Sequence, residues 1–123
     1  MPDLELRVDD LTLAADWSDE APETVRALDT ALPLSGEASR WGDELYFRTD
    51  VDVGPENARE AVEPGTIAYW PAGNALCLYW GPTPASGGEE PRAASPVNLV
   101  ARVADYEPLS AVEGGAFVEL SRS

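Results

Sequence analysis

The chain has no histidine and no lysine, and its only basic side chains are eight arginines. Against them stand 23 acidic residues, which give a formal net charge of −15. Nucleic-acid phosphates and anionic membrane surfaces both bind through basic side chains. The composition therefore disfavours nucleic acid and membrane surfaces as partners.

The acidic residues are spread along the chain rather than gathered into a tail. Hydrophobic residues make up 44% of the chain, and disordered chains are poorer in them. Repulsion between surface carboxylates is screened at molar ionic strength. We therefore expect a folded protein with an acidic surface from a halophilic cytoplasm. An acidic protein from a low-salt cytoplasm is the alternative.

Cysteine is almost absent as well, since Cys77 is the only one. A single cysteine excludes an internal disulfide, and without histidine a zinc site has too few ligands. No segment has the spacing of a calcium loop or of a phosphate-binding loop, so we expect neither metal nor cofactor. The first residues have no basic and apolar signal-peptide pattern, and no run approaches the length of a membrane span. These features favour a cytoplasmic location.

The most informative stretch is Gly65 to Pro84, which predicts a β-hairpin. Two apolar runs, Thr66–Trp70 and Ala75–Trp80, flank the turn-forming Pro71–Asn74. Both faces of both runs are apolar, whereas a strand with one wet face would alternate. We therefore expect a central hairpin that is covered on both sides. Cys77 then lies within a strand, where a buried, inert thiol is expected.

The rest of the chain predicts short strands and one good helix. The helix is expected from Ala21 to Leu32, with Pro22 at its first position and Pro33 ending it. Alternation or apolar runs predict further strands at Leu4–Val8, Leu11–Leu13, Arg40–Arg48, Val97–Val103 and Ala116–Leu120. Helical turns are expected within Glu56–Val62 and Tyr106–Glu113, and connections at Leu34–Ser39 and Ala85–Ser95. We expect one domain over residues 1–123, mainly β, folded as a closed β-barrel with the helix capping it.

Candidate ligand-binding residues lie on three of the predicted strands and on the hairpin turn. Glu44, Tyr46 and Arg48 alternate on one strand face, which favours either a polar pocket or a solvated face with a cross-strand ion pair. Trp70 and Trp80 end their strands, where aromatic rings either wall a pocket or close the core. The predicted ligand-binding set is Glu44, Tyr46, Tyr69, Trp70, Asn74 and Tyr79.

Three segments together resemble the small cyclophilin-like family of uncharacterised prokaryotic proteins. They are the helix with its stop and the following strand (24–33 and 41–47), the hairpin (65–84), and Ala94–Val100. The resemblance implies a cyclophilin-like barrel. True cyclophilins are peptidyl-prolyl isomerases, but their Phe-x-x-Gln-Gly-Gly-Asp-type signature is missing here. Their pocket histidine is also missing, because this chain has neither histidine nor glutamine.

Three functions follow as hypotheses. The first is a module that binds a peptide or small molecule at the barrel mouth. The second is a divergent prolyl isomerase, in which Arg40 or Arg48 would weaken amide resonance and the aromatic residues would hold the proline ring. The third is an interaction subunit whose surface aromatics mark an interface. The sequence leaves the oligomeric state open.

Overall fold

The computed structural model describes residues 2–123, so residue 1 of the predicted domain lies outside the described part. The strands are β1 Leu4–Val8, β2 Leu11–Trp17, β3 Leu34–Glu37, β4 Ser39–Arg40, β5 Glu44–Arg48, β6 Arg59–Ala61, β7 Thr66–Trp70, β8 Ala75–Tyr79, β9 Arg92–Val103 and β10 Phe117–Arg122. The helix α1 spans Pro22–Ala31, and a 3₁₀ helix spans Glu107–Ala111. The fold is thus mainly β with one main helix, as predicted.

The strands form one curved antiparallel sheet in the order β3-β10-β1-β2-β9-β7-β8-β5-β4, with β6 paired to β9. Among the described residues the end strands β3 and β4 do not pair, although only Ala38 separates them in the chain. Ala38 N–H donates to Ala116 O, and Gly115 N–H donates to Ala38 O, both at 2.8 Å. The predicted closed barrel is therefore corrected: the chain itself, not a hydrogen-bonded ladder, joins the two edges.

The predicted hairpin is confirmed as β7 and β8, with Ile67 opposite Leu78. Its two faces bury different apolar clusters. The inner face carries the larger core, to which Leu76 and Leu78 belong. The outer face carries a smaller cluster, which includes Ala75, Cys77 and Tyr79. The hairpin is therefore covered on both sides, as its doubly apolar strands predicted.

Strand β9 covers that outer face because it changes partners along its length. Its second half pairs with β7 and β2, whereas its first half pairs with β6 over the smaller cluster. The register of the β7–β9 pair shifts between Ile67, which pairs with Ala101, and Ala68, which pairs with Leu99. Regular alternation along this strand would put Val97, Leu99, Ala101 and Val103 on one face. The register shift divides these four residues between the two faces, because an extra residue reverses the alternation. Val97 and Leu99 join the outer cluster, whereas Ala101 and Val103 join the inner core.

Helix α1 begins one residue later and ends one residue earlier than predicted. Its Leu28 and the preceding residue Ala21 are buried in the inner core. A polar network holds its first turn. Glu56 Oε1 accepts hydrogen bonds from Thr24 N (2.9 Å) and Thr24 Oγ1 (2.7 Å). The hydroxyl bond, above all, lowers the pKa of Glu56. Buried Asn98 donates to Thr24 Oγ1 and to Gly54 O, both at 3.0 Å, so β9 anchors the helix.

Three other predictions about local structure were wrong. The segment predicted as a connection, Leu34–Ser39, contributes β3 and part of β4, because pairing with β10 and β5 outweighs its weak strand pattern. The helical turn predicted within Glu56–Val62 is instead the strand β6, preceded by Asn57 at a φ of +49°. Strand β9 starts at Arg92, inside the predicted loop.

Candidate functional site

An aromatic cavity of about 240 Å³ lies against β5, β7 and β8. Its lining residues are Trp41, Glu44, Tyr46, Trp70, Tyr79 and Ala94. Tyr79 belongs to the outer cluster, and Tyr46 and Trp70 pack against that cluster. The cavity therefore lies on the outer face of the sheet, and not at the barrel mouth, where the sequence predicts a pocket.

Strand pairing places the carboxyl group of the cavity beside a phenol and a thiol. Glu44 on β5 pairs with Tyr79 on β8, and Tyr46 pairs with Cys77. Glu44 is only 4% exposed. Burial raises the pKa of Glu44 to about 7, and hydrogen bonding with Cys77 and Tyr79 only partly offsets this rise. Near neutral pH the cavity thus holds a carboxyl group poised between its neutral and charged forms.

The thiol and the phenol stay protonated. Burial raises the pKa of Cys77, and the nearby charge of Glu44 raises it further. Burial is also the main reason why the pKa of Tyr79 is raised. Because nucleophilic attack by cysteine requires the thiolate, Cys77 is poorly suited to it. Tyr79 can donate a hydrogen bond across the neutral pH range.

A tight turn before β5 positions Trp41. Trp41 N–H donates to Glu44 O (2.9 Å), and Asp43 N–H donates to Pro82 O (2.9 Å). Gly42 has a φ of +62°, and a Cβ there would lie 2.8 Å from Thr83 Cα. Only glycine therefore lets the 81–84 segment approach the turn so closely. The backbone thus holds Trp41 at the edge of the cavity.

Trp70 is held from the opposite side. Its indole N–H donates to Ser95 Oγ at 2.6 Å. This bond connects the end of β7 with the first half of β9, which also supplies Ala94. The ring of Trp70 is therefore fixed where β9 crosses the outer face.

The structure brings together four of the predicted ligand-binding residues: Glu44, Tyr46, Trp70 and Tyr79. Tyr69 and Asn74 lie elsewhere. Tyr69 is fully buried in the inner core and donates to Val51 O at 2.6 Å. The Asn74 amide donates to the Tyr69 hydroxyl at 3.0 Å, so both residues hold the 51–53 segment in place.

The two arginines considered as catalytic candidates do not line the cavity. Arg40 donates to Gly42 O (2.7 Å), Val112 O (2.5 Å) and Asp43 Oδ1 (3.0 Å). Its guanidinium also lies 5.3 Å from the ring centre of Trp80. Arg48 donates to Gly73 O at 2.9 Å. Both side chains therefore make contacts that hold loops together.

Sequence reasoning missed two lining residues, Trp41 and Ala94. Trp41 was detectable in principle, because it is an aromatic residue directly before the strand that carries Glu44 and Tyr46. Ala94 carries no signal of its own, and it reaches the cavity only because β9 folds over the outer face.

The described residues contain neither a metal-binding cluster nor a membrane-spanning helix. Nowhere in residues 2–123 do three or more histidine, cysteine, aspartate or glutamate side chains group as they would around a metal ion. No helix within the same range has the length and apolar character needed to cross a membrane.

Comparison with known proteins agrees with the fold. The family model described as Cyclophilin-like matches residues 2–121. A hypothetical protein from Archaeoglobus fulgidus, known from a solution structure, is 41% identical and superposes with a TM-score of 0.81. The match covers 98% of this chain and 93% of that one. No curated protein matches the chain. Because the family model spans nearly the whole sequence, the chain belongs to the Cyclophilin-like family.

Proposed function

We propose that this protein is a binding module and that the outer-face cavity takes a small molecule or a single side chain of a peptide. One observation carries the proposal: a buried carboxyl group, Glu44, faces a cavity whose other walls are almost entirely aromatic. Ligand sites combine apolar walls with a few polar groups that orient the ligand. A carboxyl group with a strongly raised pKa in such a cleft marks a candidate functional site.

The size of the cavity limits the ligand. At about 240 Å³ it lies just below the roughly 300–1,000 Å³ of typical small-molecule sites. It therefore suits a compact ligand or one side chain better than an extended peptide. Hydrogen bonds donated by the Trp41 backbone N–H and the Trp70 indole N–H hold two of the rings, and strand pairing holds the other two. The cavity walls are therefore preformed, which lowers the entropy lost on binding.

A fragment screen by NMR tests this proposal. The indole N–H signals of Trp41 and Trp70 report on the cavity, and those of Trp17 and Trp80 serve as internal controls. We expect some compounds to shift the first pair saturably and leave the second pair unchanged. The substitution Ala94→Phe should block these shifts, because Ala94 is an exposed residue on the cavity wall. If no compound shifts the cavity signals, the proposal is wrong.

The other two functions have less support from the geometry. An isomerase would need a donor beside the bound amide, and both candidate arginines are engaged in loop contacts away from the cavity. Exchange NMR on an Xaa-Pro peptide should show no acceleration of cis/trans exchange. An interaction surface would need an apolar patch, and in residues 2–123 Phe117 is the only exposed large hydrophobic side chain.

A further inference from the structure

Glu44 has no cationic partner within the described protein. Seven arginines form ion pairs with other carboxylates, and none of these pairs includes Glu44. The eighth, Arg48, donates to Gly73 O. Because the chain has no lysine and no histidine, residues 2–123 contain no further basic side chain. The charge of Glu44 therefore has no opposite charge beside it in a buried position, where an unpaired charge is costly.

The other cavity walls are aromatic rings, which attract cations. Trp41, Tyr46, Trp70 and Tyr79 line the cavity beside Glu44. The face of an aromatic ring carries negative partial charge, and groups of such rings recognise alkylated ammonium ions. A carboxylate among these rings supplies a counter-ion to the same ligand.

From this arrangement we propose that the cavity binds a small organic cation, an alkylated ammonium group, with Glu44 as its counter-ion and the four rings as its cage. This inference rests on the proposed function, since it names the chemical class of the ligand at the same site. The ammonium group can belong to a free metabolite or to a methylated lysine side chain of a peptide, because both offer the same chemistry.

Two other ligand classes fit the site less well. A metal ion needs several oxygen, nitrogen or sulfur ligands, and the cavity offers one carboxyl group and two phenols. An anion would find no arginine on the cavity wall and would approach a molecule with a net charge of −15. An alkylated ammonium ion matches both the apolar walls and the negative charge.

A matched pair of ligands tests the charge directly. Choline carries a trimethylammonium group, and 3,3-dimethyl-1-butanol is its neutral isostere with carbon in place of nitrogen. Both are titrated at about pH 8, above the pKa of Glu44, and binding is followed through the indole signals of Trp41 and Trp70. We expect choline to bind at least about tenfold more tightly than the isostere, which corresponds to about 1.4 kcal/mol.

Variants separate a specific counter-ion from general attraction by the acidic protein. Glu44→Gln keeps the shape and removes the charge, so it should weaken choline about tenfold or more and leave the isostere unchanged. Glu37→Gln removes an exposed carboxylate that does not line the cavity, and it should leave both affinities unchanged. Trp70→Phe, which keeps a ring, should retain more choline affinity than Trp70→Leu.

Three results would overturn the inference. Equal affinity for choline and its isostere would show an apolar site, and the proposed binding function would stand. Equal weakening by Glu44→Gln and Glu37→Gln would show attraction by net charge alone. If neither choline nor a trimethyllysine peptide binds, an alkylated ammonium ion is the wrong ligand class. The fragment screen then tests the proposed binding function separately. If the inference holds, tighter binding of the peptide than of choline identifies a protein ligand, and the reverse identifies a free metabolite.

Discussion

Replacing Glu44 with glutamine should stabilise the protein above neutral pH. Glu44 is 4% exposed, and burial raises its pKa from the ordinary 4.5 to about 7. The folded protein therefore keeps a proton on this side chain between these two pH values, while the unfolded chain releases it. The free energy of unfolding contributed by Glu44 consequently falls as the pH rises through this window and levels off above about pH 7.

The size of the effect follows from the two pKa values. The difference between 4.5 and about 7 corresponds to about 3 kcal/mol of unfolding free energy. Glutamine has the shape of glutamate and never ionises. The Glu44→Gln variant should therefore match the wild type near pH 4 and exceed its stability by about 3 kcal/mol near pH 8.

Urea unfolding of both proteins across this pH range, at one fixed salt concentration, measures the difference. Taking the difference at each pH removes the contribution of the other carboxyl groups, which both proteins share. Glu37→Gln is the matched control, because Glu37 is exposed and its loss should give no such pH-dependent gain. A carbon-detected NMR titration of Glu44 gives its pKa directly. A stability difference that does not change with pH, or a titration near the ordinary value, would refute the burial argument.

Three further predictions concern the fold and its surroundings. Asn98→Ala should lower the free energy of unfolding, measured in urea, by about 1–3 kcal/mol, because it removes the hydrogen bonds of Asn98 with Glu56 N, Thr24 Oγ1 and Gly54 O. A loss no larger than that of exposed Thr30→Ala would contradict this. Gly65→Ala should lower the free energy of unfolding by about 1–3 kcal/mol, because Gly65 has a φ of +90° and a Cβ there would lie 2.7 Å from Val103 O. An unchanged urea unfolding curve would contradict this. The midpoint of thermal unfolding should rise as the KCl concentration is raised to the molar range, because screening weakens repulsion within a chain of net charge −15. A midpoint that is independent of KCl would rule out the expected halophilic behaviour.

The position of Glu44 is more easily explained by ligand binding than by folding. An unpaired buried carboxyl group destabilises the folded state, and proteins retain such groups mainly where activity requires them. The folded protein would be more stable with an uncharged residue at this position. This cost to stability is the physical reason for looking for a cation that compensates it.

Elements with an unambiguous apolar pattern could be predicted from the sequence alone. The hairpin of β7 and β8 was predictable because both of its faces are apolar, which only a strand pair covered on both sides satisfies. Helix α1 was predictable from Pro22, the spacing of its apolar residues and Pro33. The alternation of Glu44, Leu45, Tyr46 and Phe47 placed the two polar side chains correctly on the face opposite the core.

Contacts between distant segments determine how the two edges of the sheet meet and where the cavity lies. Strands β3 and β4 have weak patterns of their own and form because neighbouring strands offer them backbone partners. The register shift in β9 depends on its pairing with both β6 and β7, which no local pattern specifies. That shift folds β9 over the outer face and adds Ala94 to the residues of β5, β7 and β8. Four of the residues that line the cavity could thus be named from the chain, whereas the position of the cavity depends on contacts between segments far apart in sequence.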